Sequence, residues 1–297
     1  MVRNKINFKR LLLMTILVIV ILMFLSLACK SIFINDYLEN ECACDMNDHG
    51  LEVIHDVLDK NEIEYFKKLA TEEKYKDIKK YIINSDKIKE RIISRLGNGY
   101  QFQDYIFMIT KSNIHTCHRD YNGDFFNEGQ KHKSYTILFY LEEMDRCLDV
   151  IPGSHKEINT NSYNLSDPSK SIRCRPGSAV LFDANLIHTG SFNKKTNNMR
   201  FHMKLKNNDD FYKLQYYENY NKVTGKEATL PVSVRKIQKH FSCQFPVLGN
   251  VTQNSSIETT KSGELPIYQR IFSLFAYGDS NFYKLKEAFG LVKIQRS

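Results

Sequence analysis

With 297 residues, 42% hydrophobic and 26% charged, the chain can bury one good-sized core, or one core plus an extension, and its composition is that of a folded protein. The formal charge of +8 is uneven: Arg3, Lys5, Lys9, Arg10 and Lys30 fall within the first 30 residues with no acid, and beyond them 37 Lys and Arg face 34 Asp and Glu, a net of +3. That balance argues against nucleic-acid recognition by field alone, and no nucleic-acid partner is expected.

Residues 11–28 (LLLMTILVIVILMFLSLA) carry no charge. As a helix they reach roughly 27 Å, close to the hydrocarbon thickness of a bilayer. Four cations precede the run, and Asp36, Glu39, Glu41, Asp45 and Asp48 follow it. The positive-inside rule then predicts a cytosolic tail over 1–10, a transmembrane signal-anchor over 11–28, and a lumenal or extracellular remainder. The rival reading is a cleaved signal peptide, with Ser26-Leu27-Ala28 as a small-residue cleavage site and a secreted product. Cys29 ends the run, and Cys42, Cys44, Cys117, Cys147, Cys174 and Cys243 follow; bridges among them suit such a compartment, but the sequence does not choose their pairing. Sequons begin at Asn164, Asn250 and Asn254, so a glycoprotein is compatible with this orientation.

Residues 29–50 read as a polar, acidic stalk. A short apolar run at 53–58 suggests a strand. Asp59 and Glu62 then make a capping-box-like start for a helix with Ile63, Phe66 and Ala70 on one face. A second helix is expected over 85–96, where Ile88, Ile92 and Leu96 recur at i, i+4 and i+8 before Gly97 and Gly99. After Gly99 the period changes. Five β-rich runs, 104–110, 135–141, 148–151, 178–183 and 199–205, are separated by turn signals such as Asn122-Gly123, Pro152-Gly153-Ser154 and Pro176-Gly177. Helices in front of many short strands predict an α+β protein with a mainly β core, an antiparallel sandwich or barrel. Residues 207–297 are an extension rich in Tyr, Asn and Lys, with candidate helices over 268–277 and 281–289 and no motif.

The chemistry-bearing residues begin with His118-Arg119-Asp120. On extended chain i and i+2 share a face, so an imidazole and a carboxylate converge there. His188, a few residues after the strand-like SAVLFD, is placed to add a third ligand. Two His and one carboxylate leave open positions on an octahedral metal, the facial arrangement of non-haem Fe(II) oxygenases. The same triplet occurs in the protein-kinase catalytic loop, but that loop needs an Asn five residues on, where this chain has Phe125, and no Gly-rich loop or DFG accompanies it.

The downstream order is more specific than the triplet. SYTILFYLEEM is followed by DVIPGSHK (149–156), RPGSAVLFDANLIHTGS (175–191) and MRFHMKL (199–205). This series resembles the double-stranded β-helix (jelly-roll, cupin-like) oxygenases that use Fe(II) and 2-oxoglutarate, most closely the phytanoyl-CoA dioxygenase-like group, over roughly residues 51–206. The resemblance implies a double-stranded β-helix with N-terminal helices behind the membrane anchor. It also implies Fe(II), 2-oxoglutarate and O2 as cofactors, with His118, Asp120 and His188 as catalytic metal ligands. A basic residue on the strand after the distal His binds the far carboxylate of 2-oxoglutarate in such enzymes, and Arg200 stands twelve positions after His188, its guanidinium suited to a carboxylate. Where many relatives have Ser or Thr two positions after that Arg, this chain has His202, so the second carboxylate contact is open among Thr189, Ser191 and Tyr105. Tyr105 and Thr136 are the further co-substrate contacts expected. An intact Asp120 points to hydroxylation, since halogenating relatives lack the carboxylate. The expected function is thus a membrane-anchored hydroxylase acting on a small-molecule, lipid, glycan or protein substrate. The alternatives are a prolyl- or lysyl-hydroxylase-like enzyme and a non-catalytic binding or structural protein on the same fold.

Overall fold

A computed structural model of the chain describes residues 8–33, 44–111, 117–120, 130–156, 169–193, 197–210, 220–224 and 231–244. In chain order the elements are α1 (Phe8–Phe33), β1 (Leu51–Ile54), α2 (Lys60–Thr71), α3 (Tyr75–Asn84), α4 (Asp86–Ile93), β2 (Tyr100–Phe102), β3 (Tyr105–Lys111), β4 (Tyr135–Tyr140), β5 (Met144–Val150), β6 (Lys170–Cys174), β7 (Ala179–Asp183), β8 (His188–Gly190), β9 (Asn197–Asn207), β10 (Tyr220–Thr224) and α5 (Val232–Gln244). The three helices α2–α4 precede the main run of strands, as the change of period predicts.

The strands form two sheets. The larger runs β1-β7-β4-β9-β3-β10, with β2 also on β9; the smaller runs β6-β5-β8. All pairings are antiparallel except β10 with β3. One face of the larger sheet packs on the helices: Ile137 and Phe139 of β4, Ala179 and Leu181 of β7, and Phe201, Met203 and Leu205 of β9 share a core with Phe66, Ile78, Ile82, Ile88 and Ile92. The alternate residues, Leu138, Tyr140, Val180 and Phe182, face the smaller sheet and pack on Leu148, Val150, Ile172 and Cys174. Strands buried on both faces read as unbroken apolar runs, which is why YTILFY and AVLFD stand out in the sequence. Two facing, mainly antiparallel sheets with helices on one outer side are consistent with a cupin-like core.

Local chemistry explains the element boundaries. The Asp59 carboxylate accepts from the N–H groups of Asn61 and Glu62 while Glu62 reaches back to the Asp59 N–H, the reciprocal cap the sequence predicts. Ser85 caps α4 through the Ile88 N–H. Between these helices lies α3, which the sequence reading did not foresee; its N-cap, Lys74, makes no side-chain cap bond, so no start signal announces it. The 53–58 run becomes strand only through β1, four residues paired with β7, and Val57 and Leu58 turn into the helix cap. Gly177, in the PGS turn before β7, has φ +84°, and a Cβ there would collide with the Leu58 carbonyl that the turn packs against.

Helix α1 is 26 residues long, about 39 Å at about 1.5 Å per residue. Within it side chains are described at Lys9 and over 12–25, and all are exposed. Over the described residues, no helix is long and apolar enough to cross a membrane. Cys117 is disulfide-bonded to Cys243 and Cys44 is also disulfide-bonded, whereas Cys147 and Cys174 are buried free thiols. The three sequons and the candidate helices over 268–277 and 281–289 lie outside the described residues.

Candidate metal centre and active site

Backbone pairing brings distant motifs together. His118 and His188 exchange both N–H···O=C bonds at 3.0 Å, an isolated antiparallel bridge that adds the His118 segment to the smaller sheet beside β8. The Asp120 N–H donates to the Ala184 carbonyl at 2.9 Å. Arg119 is buried rather than on the surface, and its guanidinium donates to the carbonyls of Ser154 (2.8 Å) and Asn185. Ser154 belongs to PGSHK and accepts from the Ile187 N–H at 2.9 Å. One arginine and one serine therefore pin the two downstream motifs to the triplet.

His118, Asp120 and His188 each offer a ligand atom, and these atoms lie within 4.8 Å of one another. Asp120 Oδ1 is 3.8 Å from Nε2 of His118 and 3.6 Å from Nε2 of His188. A single ion at roughly 2.1 Å from each donor would draw them to ~3 Å apart, a closure of about an ångström. The His188 Nδ1–H donates to the Leu186 carbonyl at 3.0 Å, a bond that leaves Nε2 as the lone pair facing the centre. Burial pushes the His188 pKa down to about 4, so the ring is neutral and able to ligate at ordinary pH.

The other carboxylate oxygen is held away from the centre. Asp120 Oδ2 accepts from Lys204 Nζ at 2.7 Å and from Thr136 Oγ1 at 2.7 Å, and Lys204 Nζ is 3.1 Å from Thr136 Oγ1. Burial raises the Asp120 pKa, but Lys204, then His188 and His118, outweigh it and hold the carboxyl well below its usual range. Burial likewise lowers the Lys204 pKa, against the pull of Asp120. At 2.7 Å, with a hydroxyl and two imidazoles also facing the carboxylate, we read the pair as ionised. The arrangement presents Oδ1 alone to a metal, a monodentate ligand with a fixed rotamer.

Thr136 thus touches the carboxylate of Asp120. On β9 the inward side chains are Arg200, His202 and Lys204. Arg200 is buried directly opposite Tyr140 in the β4–β9 register, and the Tyr140 hydroxyl is a buried polar atom with no hydrogen-bond partner among the described residues. Tyr105 OH lies 3.2 Å from His202 Nε2, and burial takes the His202 pKa down to about 3. Ser191 and Thr189, two alternatives for the second carboxylate contact, face the other way: Ser191 donates to Asp149 at 2.6 Å and Thr189 pairs with Asp149 in the β5–β8 register. The sequence reading missed Lys204 and Tyr140. Lys204 was legible, because it repeats the two-residue period of Arg200 and His202; Tyr140 was not, because its place depends on the β4–β9 register.

The sequence model of one family, described as Phytanoyl-CoA dioxygenase (PhyH), matches residues 30–201. No match was found among curated protein sequences. Among solved structures, the chain is similar to the epimerase SnoN in complex with Fe3+, alpha ketoglutarate and nogalamycin RO (13% identity, TM-score 0.44, covering 55% of this chain and 80% of that one). It is also similar to HygX from Streptomyces hygroscopicus with nickel and 2-oxoglutarate bound (14%, 0.43, 55% and 84%). A third is EvdO2 from Micromonospora carbonacea var. aurantiaca complexed with 2-oxoglutarate (11%, 0.41, 58% and 92%). Similarity at this level carries no inference about activity or substrate.

Proposed function

The chain belongs to the phytanoyl-CoA dioxygenase family, whose members are Fe(II)- and 2-oxoglutarate-dependent oxygenases, and from that premise we propose a membrane-anchored hydroxylase with its catalytic domain in a lumenal or extracellular space. The observation that carries the catalytic part is the meeting of His118, Asp120 and His188 with ligand atoms within 4.8 Å. The residues fit the cofactors. Two imidazoles and one carboxylate form a facial donor set for Fe(II). Arg200 and the Tyr140 hydroxyl, which has no partner among the described residues, lie side by side in the interior and suit the far carboxylate of 2-oxoglutarate.

When bound, the metal and co-substrate supply oxidative decarboxylation of 2-oxoglutarate coupled to oxidation of a substrate C–H bond. The chain's own work is positional. His118, His188 and Asp120 Oδ1 would hold the ion; Lys204 and Thr136 keep Asp120 Oδ2 occupied. Leu138, Val180 and Phe182 make an apolar wall that excludes water from the space between the sheets. Tyr105 orients His202 beside that space through its hydroxyl, 3.2 Å from Nε2. Because Asp120 fills the ligand position a halide would need, hydroxylation is the favoured outcome. The oxygenase domain is assigned to residues 51–206 in the double-stranded β-helix form, preceded by a stalk over 29–50 whose first residues continue α1, and followed by the 207–297 extension, which lends β10 to the larger sheet and α5 to the back of the site.

The anchor reading rests on the uncharged residues 11–28 within the 26-residue α1, whose described apolar side chains, Leu12 to Leu25, are all exposed. The Cys117–Cys243 disulfide suits an oxidising compartment on the far side of the membrane. The substrate is a small molecule, lipid, glycan or protein presenting an unactivated C–H.

The full chain in detergent, given 2-oxoglutarate and Fe(II), is expected to form succinate, and His118→Ala to reduce this to background. Succinate formed without added metal, or undiminished in His118→Ala, contradicts the proposal. Stimulation of succinate release across peptide, glycan and lipid panels then identifies the substrate class.

A further inference from the structure

Helix α5 lies beyond the residues the family model matches, yet it meets the backs of both ligand-bearing segments. Residues alternate across extended chain, so the neighbours of inward-facing ligands face outward. Cys117 precedes His118 and Ile187 precedes His188, and these two share a small buried cluster with Ile151 and with Cys243 of α5. Cys243 is bonded to Cys117, with Cα atoms 5.0 Å apart. The Cys117 N–H donates to Ser242 Oγ at 2.8 Å, and that hydroxyl in turn donates to the Lys239 carbonyl at 2.8 Å.

The same face of α5 anchors the helix itself. Arg235, Lys239, His240, Ser242 and Cys243 are buried at i, i+4, i+5, i+7 and i+8, one side of the helix. Lys239 Nζ pairs with the buried Asp149 of β5, which also accepts from Ser171 and Ser191 at 2.6 Å each. A buried, fully hydrogen-bonded ion pair fixes position and register. We propose that α5 is a positioning element for the metal centre, with Cys243 and Ser242 holding Cys117 and thereby setting the place of His118. The proposal rests on His118, Asp120 and His188 being the metal site.

Among the described residues, each backbone tie of the triplet has its own source. His118 is held by His188, Asp120 by Ala184, and Cys117 by α5. Cutting the α5 tie leaves Asp120 held at Ala184 and leaves His118 with its bridge to His188 as its remaining backbone tie, so that the ring is placed less firmly. The expected signature is weaker metal binding with the folded core kept, because among the described residues the cores on either side of the larger sheet contain none from α5.

The test is an anaerobic Co(II) titration of the full chain in detergent, read by visible absorption, beside circular dichroism and thermal unfolding. Wild type is expected to bind one Co(II). Cys243→Ser, and wild type reduced by a phosphine, are expected to bind it about 10–100-fold more weakly, the range seen when groups that orient metal ligands are removed. Ser242→Ala keeps the disulfide and is expected to lose about tenfold, with Ser242→Thr, which retains the hydroxyl, restoring most of it. Affinities of Cys243→Ser and Ser242→Ala both within twofold of wild type would overturn the proposal. So would a Cys243→Ser loss that only tracks unfolding while Ser242→Ala binds as wild type does. Absence of Co(II) binding by wild type itself overturns the metal-site reading first, and this one with it.

Discussion

Replacing Lys204 by methionine is expected to lower the unfolding midpoint of the metal-free protein by about 10 °C, and a divalent metal to recover most of that loss. The Lys204–Asp120 pair is buried, 4% and 12% exposed, at 2.7 Å. Removing one member of such a pair strands a charge and costs about 3–5 kcal/mol. Each kcal/mol moves the midpoint of a domain this size by about 2–4 °C. A metal on Oδ1 supplies the missing positive charge, so the deficit should shrink once the site is filled. Thermal unfolding with and without saturating Co(II) reads both effects. A midpoint shift under about 2 °C without metal, or an equal deficit with it, contradicts the assignment of Lys204 as the partner that holds Asp120.

The KM for 2-oxoglutarate is expected to rise about a hundredfold in Arg200→Leu and about tenfold in Tyr140→Phe, with kcat at saturation little changed. Hydrogen bonds to a charged group contribute about 1.5–3 kcal/mol, and each 1.4 kcal/mol is about tenfold in affinity; a guanidinium that can bond bidentately loses more than one phenol does. Tyr140→Phe removes only an oxygen that has no hydrogen-bond partner among the described residues, so its folding should be unharmed. Initial rates over a 2-oxoglutarate series decide the matter. Unchanged KM values in both variants, with the rise confined to Lys204→Met, would move the carboxylate site to Lys204.

What the sequence announced and what it hid follow from the range of each interaction. The α2 cap is local, four residues exchanging bonds, and Asp59 with Glu62 revealed it. Strands buried on both faces betrayed themselves as apolar runs, as in β4 and β7. The weak strands did not: β8 is three residues long, and β6 has two of five residues exposed. Helix α5 escaped because, Cys243 apart, its described buried residues are Arg235, Lys239, His240 and Ser242, polar side chains with distant partners such as Asp149 for Lys239. No hydrophobic period marks such a helix. Within the site, residue types and order pointed to His118, Asp120, His188 and Arg200. Everything set by register was hidden, including Tyr140 opposite Arg200 and the outward turn of Thr189 and Ser191.

The central claim is that one metal ion joins His118, Asp120 and His188. Its most direct test is an anaerobic Fe(II) titration of wild type against His188→Ala, following the visible charge-transfer band that 2-oxoglutarate gives on ligated Fe(II). One ion per chain in wild type is predicted, with affinity lowered by more than about a hundredfold in His188→Ala, beyond the effect of losing a supporting group. Equal binding by the two proteins, or no binding by wild type, contradicts the account.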